Sequence, residues 1–176
     1  MEILFLAGIA GWIVCAWKWA DWGKFRHFQA SIYVYIIGDF LYNILTEGRH
    51  LWKFVSPNFH ISHHILVAVI SFGAAPFAIM LFLSRYPEKK TVKRQVLYIA
   101  LWVAIYTSHE WIALQAGIFR HDYGWNLWWS LLLNSIAFPF IRLHYKKPVA
   151  AIFVFLFCTI MFSIWFDVQL FSEQGK

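Results

Sequence analysis

Six stretches of this chain, at about 2–20, 29–46, 60–84, 96–117, 125–142 and 149–171, are almost continuously apolar, and nothing else in the sequence constrains the fold as strongly. A run of roughly 20 apolar residues is what an α-helix needs to cross the hydrocarbon of a bilayer. Inside that hydrocarbon every backbone N–H and C=O must be satisfied internally, which restricts spanning segments to helices and closed barrels. The runs lack the period-two alternation of barrel strands. The sequence therefore predicts an all-α fold, a six-span transmembrane helix bundle making one integral membrane domain over 1–176. Composition agrees, because 14% of the residues are charged where soluble chains carry roughly 25%. The linkers are short and not rich in Gly, Ser or Pro, so neither a second domain nor a disordered tail is expected.

Lysine and arginine near span ends are retained on the cytoplasmic side, and here alternate loops differ sharply. Lys18, Lys24 and Arg26 flank the first turn, Arg85, Lys89, Lys90, Lys93 and Arg94 the third, and Arg142, Lys146 and Lys147 the fifth; these are eleven of the fifteen basic residues. That asymmetry predicts both termini outside. It also accounts for the net charge of +6 without a nucleic-acid partner. The first apolar run has Glu2 before it and Lys18 after it, the reverse of a signal peptide, so it is expected to stay as a span. Cys15 and Cys158 fall within apolar runs without C-x-x-C spacing, which gives no basis for a disulfide or zinc knuckle. Trp17, Trp19, Trp22, Trp52, Trp125, Trp128 and Trp129 lie near span ends, as in an aromatic belt whose N–H groups stay wet.

Five stretches, "WKWADW" (17–22), "GDFLYNILT" (38–46), "LFLSRYP" (81–87), "YGWNLWWS" (123–130) and "FPFIRLHYKKP" (138–148), taken in order and spacing, resemble a family of small uncharacterised multi-pass membrane proteins of spore-forming Firmicutes, the bacilli and clostridia. The resemblance runs over nearly the whole chain. It implies a bacterial cell membrane location and brings no activity or site residues with it, so function has to be argued from individual side chains.

Ionisable groups inside a bilayer are costly and usually face the bundle interior, where they have a partner or a role. Asp39, Asn43 and Glu47 recur every four residues on the second span, which puts them on one stripe running outward from mid-depth. Asn126, Ser130 and Asn134 repeat that spacing on the fifth. His109 and Glu110 lie in the outer half of the fourth span with Tyr106 a turn below, and Asp167 lies near the outer end of the sixth. The polar residues thus gather in the outer half, and an outward-facing polar pocket closed at its base is expected. Asp39, Asn43, Glu47, Glu110, Asn126 and Asn134 are its candidate ligand-binding residues. Asp39 and Glu110 are weighted toward function, since an unpartnered buried carboxylate would cost several kcal/mol. Asn43, Asn126, Ser130 and Asn134 are weighted instead toward interhelical glue. A pairing of Glu110 with Arg49 or Arg120 is the structural rival.

The stretch "SPNFHISHHI" (56–65) places three histidines at the mouth of the third span. With Ser56 as N-cap and Pro57 at the first helical position, a helix would carry His60 and His64 at i and i+4. Two such rings can hold one metal ion. His63, His64 and His109 are the candidate metal ligands, with His50, Glu47 or Glu110 available to complete the set. Haem between His109 and His63 or His64 is a further option, and His60 reads as solvated. The H-x-x-H-H spacing alone, without the further boxes of di-iron desaturases, does not support that chemistry.

Three readings follow. The first is a membrane protein whose outer pocket binds or transports a small cation or protonatable solute. The second is a metal- or haem-dependent membrane enzyme using the histidines, its catalytic residues unknown. The third is a structural or accessory subunit whose protein partners the sequence does not name. No nucleotide-binding loop, nucleophile elbow or H-E-x-x-H pattern is present.

Overall fold

The computed structural model describes residues 2–56 and 58–168, which are predominantly helical. Seven α-helices follow one another: α1 (Glu2–Trp19), α2 (Phe25–Leu45), α3 (His63–Gly73), α4 (Ala75–Arg85), α5 (Val92–Gln115), α6 (Leu127–Lys146) and α7 (Pro148–Trp165). A short 3-10 helix (Trp22–Lys24) and two short strands, β1 (Trp52–Phe54) and β2 (Phe119–His121), complete the described elements. The helical stretches Trp22–Leu45, His63–Arg85, Val92–Gln115 and Pro148–Trp165 are long and apolar enough to cross a membrane, and Ile3–Trp19 is apolar but shorter. Helix α6 has 20 residues, with Asn134, Arg142, His144 and Lys146 among them.

The third apolar run, expected as one helix from 60 to 84, starts later and is interrupted. Ser62 caps α3, its Oγ accepting the Ile65 N–H at 3.5 Å. His60 precedes the helix in a left-handed conformation with φ of 52°. Ser56 is therefore not the N-cap, and the i, i+4 pairing of His60 with His64 does not form. Pro57 lies outside the described residues. The break after Gly73 follows from Pro76, which lacks the N–H that would bond the carbonyl of residue 72 and crowds that carbonyl sterically. The last expected span ends at Trp165 as a helix, and 169–171 lie outside the described residues.

Consecutive helical segments run antiparallel. At the end rich in basic residues, the Arg85 Nε–H donates to the Trp19 carbonyl at 2.7 Å, and Arg142 and Lys146 of α6 both pair with Glu88. Arg142 also lies over the rings of Tyr86 and Tyr145. Just above sits the main core, built around Phe82, whose ring centroid lies 5.5 Å from Trp102 and 5.1 Å from Phe138, with Phe28, Met80 and Ile141 packed around it.

The opposite end is closed by a cap that the helical pattern does not foretell. β1 and β2 pair antiparallel, with Trp52 opposite His121 and Phe54 opposite Phe119. This ladder satisfies backbone groups of two loops that would otherwise be stranded beside apolar surface. Tyr42 of α2 stacks flat on Trp52 at 3.6 Å and its hydroxyl accepts the Trp52 N–H at 2.9 Å, which ties the ladder to the bundle. Trp125 departs from the belt expectation. It is buried in a satellite core with Leu51 and Phe166, and its Nε1–H goes to Ser130 Oγ at 2.8 Å rather than to water.

Candidate functional site

Beneath the cap, a cavity of about 260 Å³ opens between α2, α6 and α7. Thr46, Trp52 and Trp125 lie at its cap end, and Phe138, Ile141 and Val154 toward the basic end. Most of the wall is apolar or aromatic, unlike the polar pocket expected from the sequence. Beside Tyr42, Thr46, Thr159 and Ser163, its wall carries four further polar residues. Tyr35 and Asp39 lie one turn apart on α2, Tyr106 projects from α5, and Asn134 comes from α6. Asp39 Oδ2 accepts the Ser71 hydroxyl at 2.5 Å, while Oδ1 has no protein partner among the described residues. The hydroxyls of Tyr35 and Tyr106 also carry no hydrogen bond there.

Of the six candidate ligand-binding residues, only Asp39 and Asn134 line this cavity. Asn134 Nδ2 lies 3.4 Å from Thr107 Oγ1 on α5. Glu110 is drawn into a separate network. One carboxylate oxygen accepts both the Ser130 hydroxyl and His121 Nε2–H, the latter at 2.7 Å, and Trp125 Nε1–H feeds Ser130 in turn. Its partner is thus His121, not Arg49 or Arg120. Arg49 instead donates to the Asp167 carbonyl at 3.0 Å, and the exposed Asp167 does not line this cavity. Asn126 is the N-cap of α6, its Oδ1 accepting the N–H groups of Trp128 and Trp129 at 3.0 and 3.3 Å. Capping satisfies helix-end donors that have no intrahelical partner, which is why this Asn sits outside the stripe it was read into.

His63 is fully committed. The Phe54 N–H donates to Nδ1 at 3.0 Å, so Nδ1 carries a lone pair; Nε2 then bears the proton and donates to Asn43 Oδ1 at 2.8 Å. Neither nitrogen is left for a metal or haem iron, which removes His63 from the candidate ligand set. His109 points elsewhere, its Nδ1–H bonding the Ile105 carbonyl at 2.8 Å and its ring packing against Trp12 at 5.6 Å. Among the described residues, the group that gathers three potential metal ligands is Glu47, His50 and His64. His64 belongs to this group; His63, whose ring centroid lies 5.8 Å from that of His64, and His109 do not.

Charge at the cap is tuned by these contacts. Partial burial lowers the pKa of His50, and the nearby His64 and Lys53 act in the same direction against Glu47. At Asp122 burial acts upward, but hydrogen bonds and ion pairs from Arg120 and Lys53 hold the carboxyl below its ordinary value.

The sequence pattern does not mark Tyr35, Tyr106, Ser71, Thr46 or His121 as site residues. The only legible signal at Tyr35 is its i, i+4 spacing to Asp39. Ser71 and His121 have none, because their partners lie on other elements.

The class that the fold defines is an antiparallel α-helical bundle with helices fit to cross a membrane. Comparison with protein-family models, with curated proteins and with solved structures finds no match to this chain.

Proposed function

We propose that this chain is a six-pass protein of the bacterial cell membrane, with both termini outside, whose α2–α6–α7 cavity binds a small, largely apolar solute bearing one protonatable or cationic group. The single observation that carries this reading is the grouping of unpartnered polar atoms, Asp39 Oδ1 and the hydroxyls of Tyr35 and Tyr106, within a largely apolar cavity of about 260 Å³. Small-molecule sites are commonly apolar clefts of roughly 300–1,000 Å³ with a few placed polar groups, so a solute at the small end of that range fits. A bare inorganic ion is disfavoured by the aromatic wall. An amine would place its ammonium at Asp39 and its apolar part against Phe138 and Phe155.

Six crossings are supported by the antiparallel course of the helical segments and by the basic residues gathered at alternate turns. The shorter α1 and the more polar α6 would complete the six with the four long apolar stretches.

The test is thermal unfolding of the detergent-purified protein with phenethylamine and with the neutral isostere 2-phenylethanol. Stabilisation by the amine that exceeds that by the alcohol and is lost in Asp39→Asn is expected. Equal effects of both compounds, or full stabilisation of Asp39→Asn, would refute the assignment of Asp39.

A further inference from the structure

The turn that leaves α2 presents Glu47 and His50 to the start of α3. Its backbone is fixed by the Thr46 N–H bonding the Tyr42 carbonyl at 2.9 Å and the Arg49 N–H bonding the Thr46 carbonyl at 2.9 Å. Between them Gly48 takes a φ of 75°, a left-handed conformation that glycine adopts without a Cβ penalty. Glu47 and His50 are thereby brought to one side of the turn, opposite His64 in the first turn of α3. One ligand atom from each lies within 4.8 Å of the others, and Glu47 Oε2 stands 3.2 Å from His64 Nε2.

The hydrogen bonds around His50 decide which of its nitrogens is free. Thr46 Oγ1 donates its only proton to the Tyr42 carbonyl at 2.8 Å. Its 3.0 Å contact with His50 Nδ1 is therefore an Nδ1–H donating to the hydroxyl oxygen. In the neutral ring the lone pair then sits on Nε2, which makes no hydrogen bond among the described residues. Holding one imidazole nitrogen by a hydrogen bond fixes the tautomer and aims the other, the arrangement found behind metal-ligating histidines. His63, with its ring centroid 4.7 Å from that of His50, backs the site but offers no nitrogen.

We propose that Glu47, His50 and His64 form an outward-facing site for a divalent first-row transition ion of the Zn²⁺ class, with the remaining coordination positions open to water. Two imidazoles and one carboxylate are a borderline donor set that suits Zn²⁺, Co²⁺, Ni²⁺ or Cu²⁺, whereas Ca²⁺ and Mg²⁺ prefer oxygen ligands throughout. At Zn–N and Zn–O bonds of roughly 2.0–2.2 Å, tetrahedral ligand atoms stand about 3.4 Å apart. The Glu47–His64 distance already matches this, and closing the rest requires only rotation of two side chains that are more than half exposed. Lys53 of the neighbouring strand is occupied by Asp122 at 3.3 Å. The site is independent of the α2–α6–α7 cavity, on whose wall Thr46 and Tyr42 lie but none of the three ligands.

The full chain, purified in detergent on a histidine-free affinity tag and stripped with a chelator, is titrated with Zn²⁺ against a chromophoric chelator and with Co²⁺ by visible absorption. One Zn²⁺ per chain and a Co²⁺ ligand-field band are expected. His64→Ala and Glu47→Gln, both at exposed positions, lower affinity at least 30-fold, and Thr46→Val, which keeps all three ligands, lowers it about 10-fold. His60→Ala and His109→Ala leave binding unchanged. Absence of stoichiometric binding, or unchanged affinity in both His64→Ala and Glu47→Gln, or equal losses from His60→Ala, would overturn the site. Asp39→Asn is expected to bind Zn²⁺ like the parent chain, and His64→Ala to respond to phenethylamine like the parent, so failure of either site is read separately.

Discussion

His63 and Asn43 are joined by a 2.8 Å hydrogen bond from the imidazole Nε2–H to the amide Oδ1, and Asn43 in turn donates to the Asp39 carbonyl at 2.8 Å. With the Phe54 N–H on its other nitrogen, His63 locks β1 and α3 onto α2 at the level where the bundle meets its cap. His63→Ala would leave a buried amide and a strand N–H without partners, so a loss of about 1–3 kcal/mol is expected. Asn43→Ala should cost a similar amount, and the double variant less than the two together. Denaturant unfolding in detergent measures this cycle; a His63→Ala as stable as the parent chain would show that the ring is a bystander.

Glu110 gathers donors from α6 and β2. Removing it in Glu110→Ala strands Ser130 and His121 and is expected to destabilise by about 1–3 kcal/mol, with Glu110→Gln milder because an acceptor oxygen remains. Neither change should alter the response to phenethylamine. A selective loss of that response, with stability intact, would return Glu110 to the binding site.

Gly38 faces the cavity where α2 passes α7. A Cβ there would stand 3.2 Å from Phe155 Cε2, so Gly38→Ala pushes the ring into the cavity. The helix itself gains roughly 0.5–1 kcal/mol from the exchange. Folding stability is thus expected to hold while phenethylamine stabilisation drops, both read from the same melting curves. A parent-like response would place the solute elsewhere.

At the basic end, the hydrogen bond from Lys146, followed by the charge and hydrogen bond of Arg142, holds the Glu88 carboxyl below its ordinary pKa. The unfolded chain then binds a proton at a higher pH than the folded one. The contribution to stability is complete above the ordinary glutamate pKa and disappears as pH falls through the folded value. Glu88 is about half exposed, so the effect is small, within about 1 kcal/mol. Comparing melting temperatures at pH 7 and pH 4, Glu88→Gln should lose less on acidification than the parent; an equal or larger loss contradicts the assignment.

Topology is checked with single cysteines in a chain whose Cys15 and Cys158 are replaced by alanine. A membrane-impermeant maleimide on intact cells should label Phe59→Cys and Tyr123→Cys. Gly23→Cys, Lys90→Cys and Lys147→Cys should react only after permeabilisation. Labelling of Lys90→Cys in intact cells would reverse or break the six-span arrangement.

The positions and order of the helical stretches and the basic asymmetry were legible in the sequence because they depend on local composition, whereas the third run, expected as one helix, is two. A run of apolar residues long enough to span hydrocarbon makes a helix whatever its neighbours are, and Pro76 interrupts one through its own covalent structure. The same rule picked out Asp39 as a polar group in an apolar run. What only the tertiary structure decided was partnership. Glu110 and Asp39 look alike in sequence, yet packing gives one carboxylate two side-chain donors and leaves the other with a free oxygen beside a cavity. The histidines separate for the same reason. His63 and His64 are adjacent in the chain, but successive side chains on a helix diverge by about 100°. One turns inward to Asn43 and Phe54 and is spent, and the other turns outward to Glu47 and His50. That choice depends on where a left-handed glycine turn and a three-residue strand place their side chains, which no local pattern in the sequence encodes.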